Sequence, residues 1–95
     1  MITLEKMKKA LRISHDALDE DLQNVMDAAV LDMKRVGVDV ETAGEHDDAL
    51  IDMAIKNYVK WQQDYNNKGD RYRPLYEALR DQLSLSATYR EVDDV

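Results

Sequence analysis

Cysteine and phenylalanine are absent from this 95-residue sequence, proline occurs once and glycine three times. Without cysteine there is neither a disulfide framework nor a thiolate zinc site, which suits a reducing compartment. So few chain breakers argue for helices rather than a turn-rich β protein. No apolar run approaches the ~20 residues that a membrane-spanning helix needs. The opening MITLEKMKKALR interleaves lysines with apolar residues and so lacks the uninterrupted stretch of a secretory signal. There is no phosphate-cradling glycine loop, and no Ser/His/Asp set can be argued from spacing. The length fits one domain with a single modest core.

What is present is charge, unevenly spread. The net charge is −7. Residues 1–13 are net basic, 14–53 strongly acidic, 54–90 net basic again, and the last five acidic. An acidic total argues against wrapping nucleic acid by phosphate neutralisation. Alternating basic and acidic segments suit copies that meet head to side, but solubility with ordinary surface pairs is the preferred reading of the charge pattern alone.

The central stretch, residues 47–65, reads DDALIDMAIKNYVKWQQDY. Leu50, Ala54, Tyr58, Trp61 and Tyr65 fall at helical spacing, with Ile51, Ile55, Val59 and Gln62 in a row beside them. A stripe this wide is the pattern of a helix packed on one broad side. Tyr58, Trp61 and Leu50 are expected to hold the core, because these rings supply most of the large apolar surface in a chain without Phe. The cap of this helix is expected between residues 45 and 47.

Around it the chain predicts three further helices. Residues 3–11 form the first, with Thr3 as cap, Glu5 in the first turn, and Leu4, Met7, Lys8 and Leu11 on one face. Residues 17–36 form the second, capped by Ser14 or Asp16 and ended by Gly37. Leu18, Leu22, Val25, Met26, Ala29, Val30 and Met33 follow its 3.6 period. Residues 38–45 connect onward, with a short extended piece possible at Val38 and Val40 and an exposed loop beyond. A break at residues 66–70 leads to a final helix over 73–83, with Pro74 in its first turn and Leu75, Leu79 and Leu83 on its face. The fold class is therefore all-α, a small bundle of about four helices. Residues 1–84 are the helical domain, and 85–95 a C-terminal tail expected to be extended or disordered until docked.

Several sharper readings compete with plain ones. The pairs His15-Asp16 and His46-Asp47 resemble the start of a metal-dependent phosphohydrolase site, but both sit where helix caps are expected. Asp16, Asp19 and Asp21 suggest a calcium loop, but Asp21 or Leu22 stands where the loop needs glycine. Lys6, Lys8, Lys9 and Arg12 could touch nucleic acid or simply form a solvated face. Met26, Met33 and Met53 lie on apolar stripes, where core filling is the default. No cofactor, metal site or enzymatic chemistry is indicated.

Taken together, MITLEKMKKALRI, the acidic helix start HDALDEDLQNVMDAA, the run NYVKWQQDY, the Pro-led helix YRPLYEALRDQLS and the closing Tyr89-Arg90 resemble the small phage head-tail connector (adaptor) proteins over residues 2–90. That resemblance implies a structural virion protein of a tailed phage or prophage. Its copies would form a ring, usually twelvefold, beneath the portal, joined to the next head-completion or tail protein and letting DNA pass without specific binding. It implies a place at the head-tail junction of the virion, with host cytoplasm the site of assembly. On this reading Lys6, Lys9, Arg71 and Arg73 are candidates for the contact between copies. Leu85, Tyr89 and Arg90 are candidates for portal docking. Asp19, Glu20, Asp21, Asp27 and Asp32 are candidates to face an acidic channel. The alternatives are a small acidic helical regulator that binds a protein partner, and a helix-turn-helix DNA binder, which the net charge opposes.

Overall fold

The computed structural model describes residues 2–40 and 49–85. It contains four α-helices among these residues: α1 (Leu4–Leu11), α2 (Asp19–Arg35), α3 (Ala49–Gln62) and α4 (Gly69–Leu85), with a 3-10 turn at Tyr65–Asn67 between the last two. The all-α expectation holds. Helix α3 is the centre of the packing: α4 pairs with it most extensively, α2 lies along it, and α1 rests on both α2 and α3.

Helix α1 starts as expected. Thr3 is extended, and its hydroxyl accepts from the Lys6 amide at 3.2 Å. Arg12 ends the helix in the left-handed region, and Met7 and Leu11 are buried below it. Helix α2 begins two residues later than the periodicity suggested. Leu18, ahead of the first turn, is 43 % exposed rather than part of the packed stripe. It stands at the cap of α2 without a side-chain bond, so neither Ser14 nor Asp16 caps the helix. The reason is competition: the Asp16 carboxylate is held by Lys8 Nζ at 2.7 Å, and only its backbone carbonyl accepts from the Asp19 amide. Asp19, Glu20 and Asp21 supply negative charge to the amide end instead.

The end of α2 follows the expected glycine logic. Gly37 has φ of 91°, its amide bonds the Lys34 carbonyl, and the Val38 amide reaches back to Met33 at 3.0 Å. This is a Schellman closure, which asks for a residue without a Cβ penalty. Val38 and Val40 after it are both fully buried. The remainder of the expected connection, residues 41–45, the cap of the central helix and His46-Asp47 lie outside the described residues.

The central helix keeps its broad stripe but rotates it. Ile51, Ala54, Ile55 and Val59 are the buried row, while Tyr58 and Trp61 pack beside them partly exposed. Leu50 is 43 % exposed and does not hold the core. Ile51 is the inner neighbour, because the β-branched row at i, i+4 and i+8 faces α2 and α4 together. The helix ends at Gln62, not Tyr65, where Asp64 turns left-handed at φ of 49°.

Helix α4 starts at Gly69, four residues before the expected position. The Asp64 carboxylate accepts from the Gly69 amide at 2.9 Å, supplying a cap that lies outside the proline-centred pattern. Pro74 consequently sits in the second turn. Its ring nitrogen cannot donate to a preceding carbonyl, a cost the helix tolerates near its start. Tyr76 and Leu83 are buried and Leu79 packs against the core, but Leu75 is 53 % exposed.

Gly69 is buried where two helices meet at closest range. A Cβ there would lie 2.7 Å from the Trp61 carbonyl oxygen and 2.8 Å from Asp64 Cα, both backbone atoms that cannot swing away. Gly69→Ala is therefore expected to cost about 1–3 kcal/mol as an overpacked site. A thermal melt should show it as a fall of roughly 4–8 °C for each kcal/mol. An unchanged melt would show that the turn relaxes without strain.

Candidate protein-binding surfaces

The α3–α4 hairpin gathers the aromatic side chains. Tyr58 and Trp61, almost one turn apart on α3, pack edge to face at 5.6 Å between ring centres. Tyr76 from α4 closes the group at 4.9 Å from Tyr58. Arginines cover it from α4: Arg73 lies 5.4 Å from the Trp61 ring and Arg80 5.8 Å from the Tyr76 ring. Nearer the turn, Lys60 Nζ sits 5.3 Å from Tyr65 and 5.4 Å from Tyr72. Cations over ring faces gain from the ring quadrupole. The result is a mostly buried cluster of Trp, Tyr and Arg with Arg73 at its exposed edge, residue types that are enriched where proteins bind proteins.

Asp32 ties this hairpin to α2. Its Oδ2 accepts from the Tyr76 hydroxyl at 2.6 Å and from Arg80 at 3.1 Å. Its Oδ1 accepts from Arg35 at 2.8 Å. Burial pushes the Asp32 carboxyl up, but the bonds from Tyr76, Arg35 and Arg80 outweigh it and hold the group below the usual carboxylate range. The Tyr76 hydroxyl is pushed up, first by burial and then by its bond to the carboxylate. Tyr58 is raised for the same two reasons, burial and the nearby Asp32 charge.

The residues singled out in the sequence fall in different places. Lys6 and Lys9 are exposed on α1, which packs on α2 and α3. Arg71 and Arg73 open α4 on the far member of the hairpin. Arg73 Nε donates to Glu77 at 2.7 Å, while Arg71 is exposed with no side-chain partner among the described residues. The four cations thus form two basic groups on different elements. Among the five acids, Asp19 meets Lys8 at 2.8 Å and Asp32 is the tie just described. Glu20, Asp21 and Asp27 keep exposed carboxylates, Asp27 accepting from the neutral Gln23 amide at 2.9 Å. Leu85 is 80 % exposed at the end of α4; Tyr89 and Arg90 lie outside the described residues.

Two features escaped the sequence reading. Lys8 shares the spacing of the surface lysines, yet it bridges α1 to the start of α2. Arg80 carried no signal, because its partner Asp32 is 48 positions away. An open groove of about 230 Å³ also runs between Leu11, Ile13, Leu18 and Leu22 on one side and residues 63–66 on the other.

The described residues thus form an all-α domain with charged faces and an aromatic-arginine cluster. The family described as phage connector protein matches this sequence over residues 3–90. The chain belongs to the phage connector family. No curated protein and no solved structure matches it. The match spans α1 to the end of α4 and supports a structural connector role in a phage particle, in contact with other head and tail proteins. Among the described residues of this connector no helix is long and apolar enough to cross a membrane, and no three His, Asp or Glu gather as a metal site.

The Asp32 tie predicts how the connector responds to acid. A carboxyl held below its unfolded value contributes stability that is present above about pH 4 and is lost as pH falls through the depressed folded value. Asp32→Asn should cost about 1.5–3 kcal/mol at pH 7, since it weakens the charged hydrogen bonds from Tyr76, Arg35 and Arg80 and leaves Arg80 with Asp81 as its remaining carboxylate. It should also flatten the loss of stability between pH 5 and pH 2. Urea denaturation at both ends of that window checks the two effects. Tyr76→Phe keeps the ring and the charge pair, so about 1 kcal/mol is expected from the lost hydroxyl.

Proposed function

We propose that this connector assembles into an oligomeric ring at the head-tail junction of a tailed phage or prophage. The ring joins the portal to the tail or to the next head-completion protein, and DNA passes through it without specific binding. The observation that carries this reading is the family match over residues 3–90, covering every described helix. The structure supports it in two ways. Exposed basic side chains such as Lys6, Lys9 and Arg71 and exposed acids such as Glu20, Asp21 and Asp27 are both present, so one copy offers both signs of charge to its neighbours. Leu85 is exposed at the end of α4, next in sequence to residues 86–95, which include Tyr89 and Val92. These residues, with Tyr89 and Arg90 foremost, are the proposed portal anchor, an aromatic ring beside a planar donor. The acids left to face either a channel or a neighbouring copy are Glu20, Asp21 and Asp27. The chain has no catalytic role on this reading.

Native mass spectrometry of the full chain, and of a chain ending at Leu85, tests the proposal with and without portal protein. The full chain should form a large ring, alone or on the portal. The shortened chain should keep its fold and lose portal binding. A full-length monomer or dimer indifferent to portal would instead favour a small regulator of another protein.

A further inference from the structure

Among the exposed faces of the described helices, one on α2 and one on α4 complement each other. On α2, Asp27 and Leu31 are one turn apart on the side away from the core, and Leu31 is 66 % exposed. On α4, Arg71 and Leu75 have the same i, i+4 spacing on its outer side, and Leu75 is 53 % exposed. One face pairs an acid with an uncovered leucine; the other pairs a free arginine with an uncovered leucine.

These faces cannot satisfy each other within one chain. Asp32 turns one side of α2 toward Tyr76 and Arg80 of α4. At 100° per residue, Asp27 and Leu31 lie about 120° around α2 from that contact. Arg71 and Leu75 lie roughly opposite Arg80 on α4. The two stripes therefore point away from one another, and a second copy of the chain offers the complement of each.

We infer that the α2 stripe of one copy docks on the α4 stripe of the next, with the helices side by side and parallel. In that register Asp27 meets Arg71 and Leu31 meets Leu75. Lys68, just ahead of α4, extends the basic end toward the acidic start of α2 at Glu20. The antiparallel register sets Arg35 against Arg71, two like charges, and is disfavoured. Because different patches meet, the contact is heterologous, and repetition closes a ring or continues as a filament. The inference rests on the ring reading above and deepens it by naming the contact. It draws Asp27 and Glu20 out of the candidate channel set and into the boundary between copies, and it leaves Lys6 and Lys9 out of that boundary.

Charge reversal tests the contact in the full chain. Asp27→Lys and Arg71→Glu sit on exposed positions, and circular dichroism would verify that each folds. Sedimentation velocity across a concentration series, alone and with portal protein, should show each single variant associating at least ten-fold more weakly than the unaltered chain. The double variant should regain association. Leu31→Ser and Leu75→Ser should weaken it without changing its salt dependence. Unaltered association in both single variants, or no recovery in the double variant, overturns this contact while a wild-type ring leaves the connector reading standing. A wild-type chain that stays monomeric even with portal overturns both.

Discussion

Asp32 is the constraint on which the arrangement of helices depends. It sits on α2 and receives hydrogen bonds from Tyr76 and Arg80 of α4, more than forty residues away. Apolar packing alone lets helices slide and rotate, since hydrophobic attraction has no direction. A carboxylate with three donors fixes rotation, because each bond has a narrow range of length and angle. With Tyr76 committed to Asp32, its ring closes the group with Tyr58 and Trp61. The rotation of α4 then decides that Leu83 is buried and Leu75 exposed.

The turn between α3 and α4 is the second constraint, and it works by close approach. Asp64 is left-handed and its carboxylate caps the Gly69 amide. Gly69 lets α4 start against the Trp61 carbonyl, where a side chain has no room. The turn brings the two helices together early, so α4 gains a first turn ahead of Pro74. That early start places Arg71 on a regular helix face rather than in a loop, which is what makes it available in register with Leu75.

The electrostatics of the chain separate into two uses. Lys8 with Asp16 and Asp19, and Asp32 with its arginines, hold elements of one protomer together. Glu20, Asp27, Lys6, Lys9 and Arg71 keep their charges at the surface. Surface charges of this kind contribute little to the stability of a single chain. They matter for which surfaces meet and how fast, which is the role a structural connector requires of them.

Local pattern determined the elements. The 3.6 period, the Thr3 cap, the Gly37 stop and the scarcity of breakers were enough for four helices and their order, because these signals act within a turn or two of the residues that carry them. The family was also legible, as the order and spacing of several individually weak motifs. Tertiary structure decided the rest. It moved Leu50 and Leu75 to the surface, since a wide apolar stripe does not say which of its rows faces the neighbours. It gave Asp16 to Lys8 rather than to a helix cap, and started α4 at Gly69 because Asp64 could reach it. It took Asp32 from a candidate row of acids and made it the joint between α2 and α4. Each of these outcomes depends on partners distant in the chain or on how helices approach, and a one-dimensional pattern carries no distance between them.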